Sequence, residues 1–153
     1  MKALKIDALL GKTLVDITQN DNSITFTTNE DESFMLCHEQ DCCESVYIES
    51  IVGDLTDLIG NPILVAEEST SGEMIENANF QNQYVKYEGS FTWTFYKLAT
   101  IKGYVDVRWF GSSNGFYSEA VDFKRIRSPK TSEAKWKHVE TALMLTKIQI
   151  IAW

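Results

Sequence analysis

Residues 91–110 constrain the fold most. They form two runs, Phe91-Thr-Trp-Thr-Phe-Tyr-Lys-Leu-Ala-Thr100 and Tyr104-Val-Asp-Val-Arg-Trp-Phe110, split by Lys102-Gly103. Both runs are rich in aromatic and β-branched residues, which favour strands. In the second run Val105, Val107 and Trp109 share one face, and Tyr104, Asp106, Arg108 and Phe110 the other. A helix would scatter both sets, so the runs predict a hairpin with the first set toward the core. The stretch Gly111-Ser-Ser-Asn-Gly115 offers Asn-Gly, suited to a turn with positive φ. Residues 116–123 are then expected as a third strand, giving hairpins over 91–123.

The N-terminal third repeats this grammar. Residues 1–12 read as a short helix or lead-in ending at Gly11. Strands are expected at 14–17, 24–28 and 33–38, joined by Gln19-Asn-Asp-Asn-Ser and Asn29-Glu-Asp-Glu, a meander over 13–38. Asp54 to Gly60 reads as one or two helical turns, with Asp54 as N-cap, Gly60 just past the end and Pro62 blocking continuation. Strands are expected in 46–52 and 63–66. The polar stretch 67–89 is expected to be a long mobile loop. Ser128-Pro129 suits a helix start, and Trp136, Val139, Ala142 and Leu143 follow helical spacing, predicting a C-terminal helical extension over 129–146. The expected fold class is α+β, with antiparallel sheet dominant, in one domain over 1–153. A chain of this length buries ~70% of the surface its unfolded form exposes, so it needs neither metal nor disulfide merely to hold a core.

Charge is unevenly placed. Residues 13–85 contain no Lys or Arg but 15 Asp and Glu; residues 86–153 carry 11 basic and 6 acidic side chains. Two faces of opposite sign would follow if the segments stayed apart, and mutual neutralisation if they interleave. No signal-like segment opens the chain, no run is long and apolar enough to span a membrane, and no Asn-x-Ser/Thr site occurs. Three cysteines cannot all pair, so an intracellular chain with reduced thiols is expected.

All three cysteines fall in the octet Cys37-His38-Glu39-Gln40-Asp41-Cys42-Cys43-Glu44. Thiolate, imidazole and carboxylate are the donors zinc takes, four at a structural site. His38, Cys42 and Cys43 with Asp41 are the expected zinc ligands, and Cys37 and Glu44 are reserves. Cys37 follows Phe34-Met-Leu and is expected to be a buried small hydrophobe. Two other readings stay open: a structural octet without metal, and a reactive thiol served by His38 or His138. The surrounding acids disfavour a thiolate and favour a bound cation.

A weaker constellation is Asp106, Arg108 and Glu119 beside Ser112, Ser113 and Asn114. It reads as a partner-binding surface or as an exposed cross-strand ion pair. The chain has no GxGxxG, P-loop, HExxH or GxSxG motif. Trp93, Phe95, Trp109 and Tyr117 can suggest base stacking, but alternation accounts for them as core, and the acidic balance argues against direct nucleic-acid contact.

The stretch His38-Glu-Gln-Asp-Cys-Cys-Glu-Ser-Val46, with Ile51-Val-Gly-Asp-Leu, Leu58-Ile-Gly-Asn-Pro-Ile63, Trp93-Thr-Phe-Tyr-Lys97, Gly103-Tyr-Val-Asp-Val-Arg-Trp109 and Ser113-Asn-Gly-Phe-Tyr-Ser-Glu119, resembles a family of small uncharacterised phage and prophage proteins over about residues 10–126. In that family an aromatic often stands where Cys37 stands here. The resemblance implies a protein of the bacterial host's cytoplasm. By class and charge such a chain is similar in kind to inhibitors of host defence, including anti-CRISPR proteins. The expectation is a non-enzymatic, zinc-stabilised acidic protein that binds a basic host defence effector such as a type II CRISPR nuclease, as a monomer or dimer. The alternatives are a metal- or thiol-dependent hydrolase of a small metabolite and a structural phage protein.

Overall fold

The computed structural model of the chain describes residues 4–71 and 90–127. These form eight strands in two antiparallel sheets. The strands are β1 (Leu14–Asn20), β2 (Ser23–Thr28), β3 (Ser33–Cys37), β4 (Ser45–Val52), β5 (Val65–Thr70), β6 (Ser90–Thr100), β7 (Gly103–Ser113) and β8 (Asp122–Ile126). One sheet has the order β1-β2-β3-β8 and the other β4-β7-β6-β5. Their inner faces close on a single core that joins Ile24, Phe26, Phe34, Leu36 and Phe123 of the first sheet to Val46, Tyr96, Leu98, Val105, Val107 and Trp109 of the second. Each fully buried Phe or Leu here contributes roughly 1.5–3 kcal/mol relative to exposure.

The fold class is a correction to the α+β expectation. Among the described residues there is no α-helix, only two 3-10 turns, Ile6–Leu9 and Leu55–Leu58. The second turn keeps the expected signals: Asp54 accepts from the Thr56 N–H, and Gly60 has φ +89°. It stops after four residues because Gly60 and Pro62 follow at once. The helical extension expected over 129–146 lies outside the described residues, as does most of the loop expected over 67–89. Residues 67–70 are not loop but the last four of the six residues of β5, and that strand begins later than expected.

The meander over 13–38 and the β6–β7 hairpin form as read, with Val105, Val107 and Trp109 buried. The third strand of the second cluster is corrected. Residues 114–121 do not pair back on β7; they cross to the other sheet, where β8 lies against β3. Gly115 does turn with φ +93°, but the turn leads across the sandwich.

Two bulges explain where alternation slips. Between Ile48 and Ser50 one residue, Glu49, is extra against Arg108. That returns Ile51 to the core face already used by Ile48 and turns Glu49 toward the side of Arg108. A second bulge at Leu14/Asp16 does the same for Leu14 and Ile17. Gly53 follows β4 with φ +103°, and a Cβ there would lie 2.4 Å from the Tyr104 carbonyl oxygen. Only glycine fits that approach.

The registers also place the octet. Cys37, ending β3, pairs with Asp122, opening β8. Ser45, opening β4, pairs with Ser112 near the end of β7. The two crossings between sheets, residues 38–44 and 114–121, therefore lie side by side at one end of the sandwich.

Candidate functional site

His38 is the first residue beyond β3, and the crossing turns its ring inward, leaving the side chain 5% exposed. Its Nδ1 lies 2.8 Å from the Ala120 carbonyl oxygen, on the neighbouring crossing. Its Nε2 lies 3.0 Å from Glu44 Oε1. A carbonyl and a carboxylate only accept, so it is the protonated ring, donating from both nitrogens, that satisfies both contacts. Burial acts to lower its pKa, but the hydrogen bonds to Glu44 and Ala120 outweigh it and raise the pKa.

Glu44 is the hub. Its side chain has no exposed surface. Oε1 accepts from the Asp41 N–H as well as from His38, and Oε2 accepts from the Cys42 N–H at 3.1 Å. The Asp41 N–H, then His38, hold its pKa down at about 2. Gln40 closes the turn by donating its side-chain amide to the Glu44 and Cys42 carbonyls. At the rim, Lys124 Nζ lies 2.6 Å from Glu39 Oε1, which raises the Lys124 pKa. Two basic side chains of the chain itself meet the octet's acids, His38 inside and Lys124 outside.

The expected ligands stand as follows. Cys42 and Cys43 are exposed, and their sulfurs are bonded to each other. Asp41 is exposed, and its backbone N–H, not its carboxylate, serves the cluster. His38 has both nitrogens engaged. Among the described residues no group of three or more His, Cys, Asp and Glu is arranged to hold a metal ion. Cys37 is a free thiol, 7% exposed, whose pKa burial pushes up. With one ring nitrogen on Ala120 and the other on Glu44, His38 makes the octet a clamp between the two crossings.

The second constellation divides. Asp106 and Arg108 lie on the outer face of β7, but Arg108 pairs with Glu49: its Nε donates to Glu49 Oε2 at 2.5 Å, and the guanidinium carbon is 5.1 Å from the Trp93 ring centre. Lys97 and Val52 flank Asp106 in register. With Phe95, Glu67 and Ser69 they line an outer groove of about 450 Å³. Glu119 is elsewhere. It lies in the second crossing, where it accepts from the Ser113 hydroxyl at 3.1 Å and its carbonyl oxygen lies 2.8 Å from where a Cβ on Gly111 would stand.

Sequence reasoning missed Glu44 as the hub, although it held it in reserve. It also missed Glu49, which only the bulge reveals. A third omission is Glu68, which is exposed but lies on the same side of β5 as the buried Ala66, directly opposite Tyr96. Its alternation with Ala66 was the signal, hidden because 67–89 reads as loop.

A family model described as Domain of unknown function (DUF7448) matches residues 7–123, from the first 3-10 turn into β8. The chain belongs to that family. Its matched span includes both crossings and the whole octet. No curated protein and no solved structure matches the chain. No helix among the described residues is long and apolar enough to cross a membrane.

Proposed function

We propose that this DUF7448 member is a non-enzymatic acidic binding protein that engages the basic surface of a protein partner. Carried by its resemblance to phage proteins, the specific reading is an inhibitor of a host defence effector, such as a type II CRISPR nuclease, acting in the cytoplasm of the bacterial host. The observation that carries it is how the cations are spent. Lys12 holds Glu32, Lys124 holds Glu39 and Arg108 holds Glu49, each with N···O of 2.6 Å or less, and Arg125 reaches Glu32 as well. Lys12 and the basic segment thus neutralise chosen carboxylates. Asp16 and Asp21 of the β1–β2 hairpin have no ion pair among the described residues. A surface with carboxylates in excess steers toward basic partners and away from nucleic acid.

The test is a DNA-cleavage assay with a purified type II CRISPR nuclease, beside capture from host lysate. Stoichiometric inhibition that fades with salt and with Asp16→Lys plus Asp21→Lys supports the reading. No inhibition, together with no basic protein retained from the lysate, contradicts it.

Zinc is the second reading, favoured by one observation: the Cys42 and Cys43 sulfurs lie together and exposed. Once reduced, two thiolates would be available there, with Asp41 adjacent in sequence, and His38 would join them only by releasing a ring proton and one of its present partners. Metal analysis of protein purified reduced and without chelator decides it: about one equivalent supports a site, and less than about 0.2 equivalents counts against it.

A further inference from the structure

We propose that Cys42 and Cys43 are a redox-active pair, a disulfide that low-molecular-weight thiols open to a dithiol and low-molecular-weight disulfides close again. The inference is independent of the partner-binding function and stands if that function fails. It also bounds the zinc reading, because the closed pair has no thiolate to offer a metal.

Adjacent residues of a strand point to opposite faces. Here the chain bends at both cysteines, and their sulfurs are joined. The bend is held from within the turn. Glu44 accepts from the Asp41 and Cys42 N–H groups, and Gln40 donates to the Cys42 and Glu44 carbonyls. None of these bonds uses a sulfur, so the turn that brings the two side chains together does not depend on the disulfide.

The bond is placed for chemistry and not for strength. A disulfide stabilises mainly by closing a loop in the unfolded chain, and more for longer loops. One between neighbours closes almost none. Both cysteines are exposed, so a small thiol can reach either sulfur. Cys37 is 7% exposed and burial raises its pKa, so it is screened from the same reagents. Disulfides of cytosolic proteins are usually transient, and catalytic or redox-sensing.

In the opening step a small thiolate attacks one sulfur of the pair. The Cys42–Cys43 bond breaks, and its electron pair leaves on the other sulfur, which takes a proton. A second small thiolate attacks the mixed disulfide, releasing the small disulfide and the second protein thiol. Two small thiols are oxidised and the pair is reduced by two electrons and two protons. Closing is the reverse, with a small disulfide as oxidant.

The experiment equilibrates the full chain, with chelator present, in oxidised or in reduced glutathione. Acid quenching, alkylation under denaturing conditions and mass spectrometry then locate the thiols. After oxidised glutathione only Cys37 should be alkylated, with no glutathione retained. After reduced glutathione all three cysteines should be alkylated. Phenylarsine oxide, whose oxygen leaves as water with both thiol protons, should bind the reduced chain at one equivalent and the oxidised chain not at all. The melting temperature should hardly differ between the two states. Cys43→Ser lacks the second sulfur and should retain glutathione on Cys42. Alkylation of all three cysteines after oxidised glutathione, or as much retained glutathione on the wild-type chain as on Cys43→Ser, would overturn the pair. A melting temperature lower by several degrees on reduction would make the bond a structural staple and overturn its assignment to redox chemistry.

Discussion

His38 Nε2 lies 3.0 Å from Glu44 Oε1, and both side chains are shut away from solvent where the sandwich is crossed twice. Glu44 ties its own turn together, and His38 carries that tie to Ala120 on the other crossing. The pair fastens the β3–β4 link to the β7–β8 link, which are far apart in sequence and adjacent in space.

Stability should therefore depend on pH with a defined sign. The His38 pKa is raised from 6.5, so its contribution is complete below about 6.5 and is lost as pH rises through the folded value. The Glu44 pKa is lowered from 4.5 to about 2, so its contribution is complete above about 4.5 and is lost as pH falls toward about 2. The pair contributes most between those limits. Denaturant midpoints measured from acid to mildly alkaline pH should decline above neutrality in the wild type, and His38→Gln should flatten that decline. Equal slopes in both would contradict the assignment.

The two glutamates of the octet that meet cations should differ in weight. Glu44→Gln leaves His38 buried without its counter-charge, so it should lower the melting temperature by several degrees. Glu39→Gln removes an exposed partner of Lys124 and should hardly move it. A ranking in the reverse order would show that the octet is not held from within.

Trp109 fills the centre of the core with no exposed surface, whereas Phe116 is 91% exposed on the second crossing. Trp109→Ala should cost about 3–5 kcal/mol. Phe116→Ala should change stability by no more than about 0.5 kcal/mol. Urea denaturation of both variants checks the pair of values.

Gly53 and Gly115 share a positive φ but differ in surroundings. At Gly53 a Cβ meets the Tyr104 oxygen at 2.4 Å; at Gly115 it meets nothing within 4 Å. Gly115→Ala should cost about 1 kcal/mol, for backbone conformation alone. Gly53→Ala should cost clearly more, because the β4 and β7 ends must also separate. Similar losses in the two variants would contradict the close approach.

The sequence showed what local pattern can show. Alternation in 104–110 placed Val105, Val107 and Trp109 inside, and turn chemistry placed the first meander. It could not show which sheet a strand joins: residues 116–123 follow a strong Asn-Gly turn, yet the apolar Phe123 finds its partner, Leu36, on β3. Nor could it show a bulge, although Ile48 and Ile51, three apart in a strand, carried its trace. In the octet the residue types were legible as a cluster that needs a cation. Ala120, more than eighty positions away, was not legible, and without it the doubly bonded imidazole cannot be foreseen.

The account stands on the cation of the octet being His38 itself. Nitrogen-15 spectra of the His38 ring, recorded at neutral pH with and without chelator, test this directly. Two protonated nitrogens, unchanged by the chelator, are the predicted result. A bare ring nitrogen at neutral pH, or a His38 signal that moves when metal is removed, would contradict it.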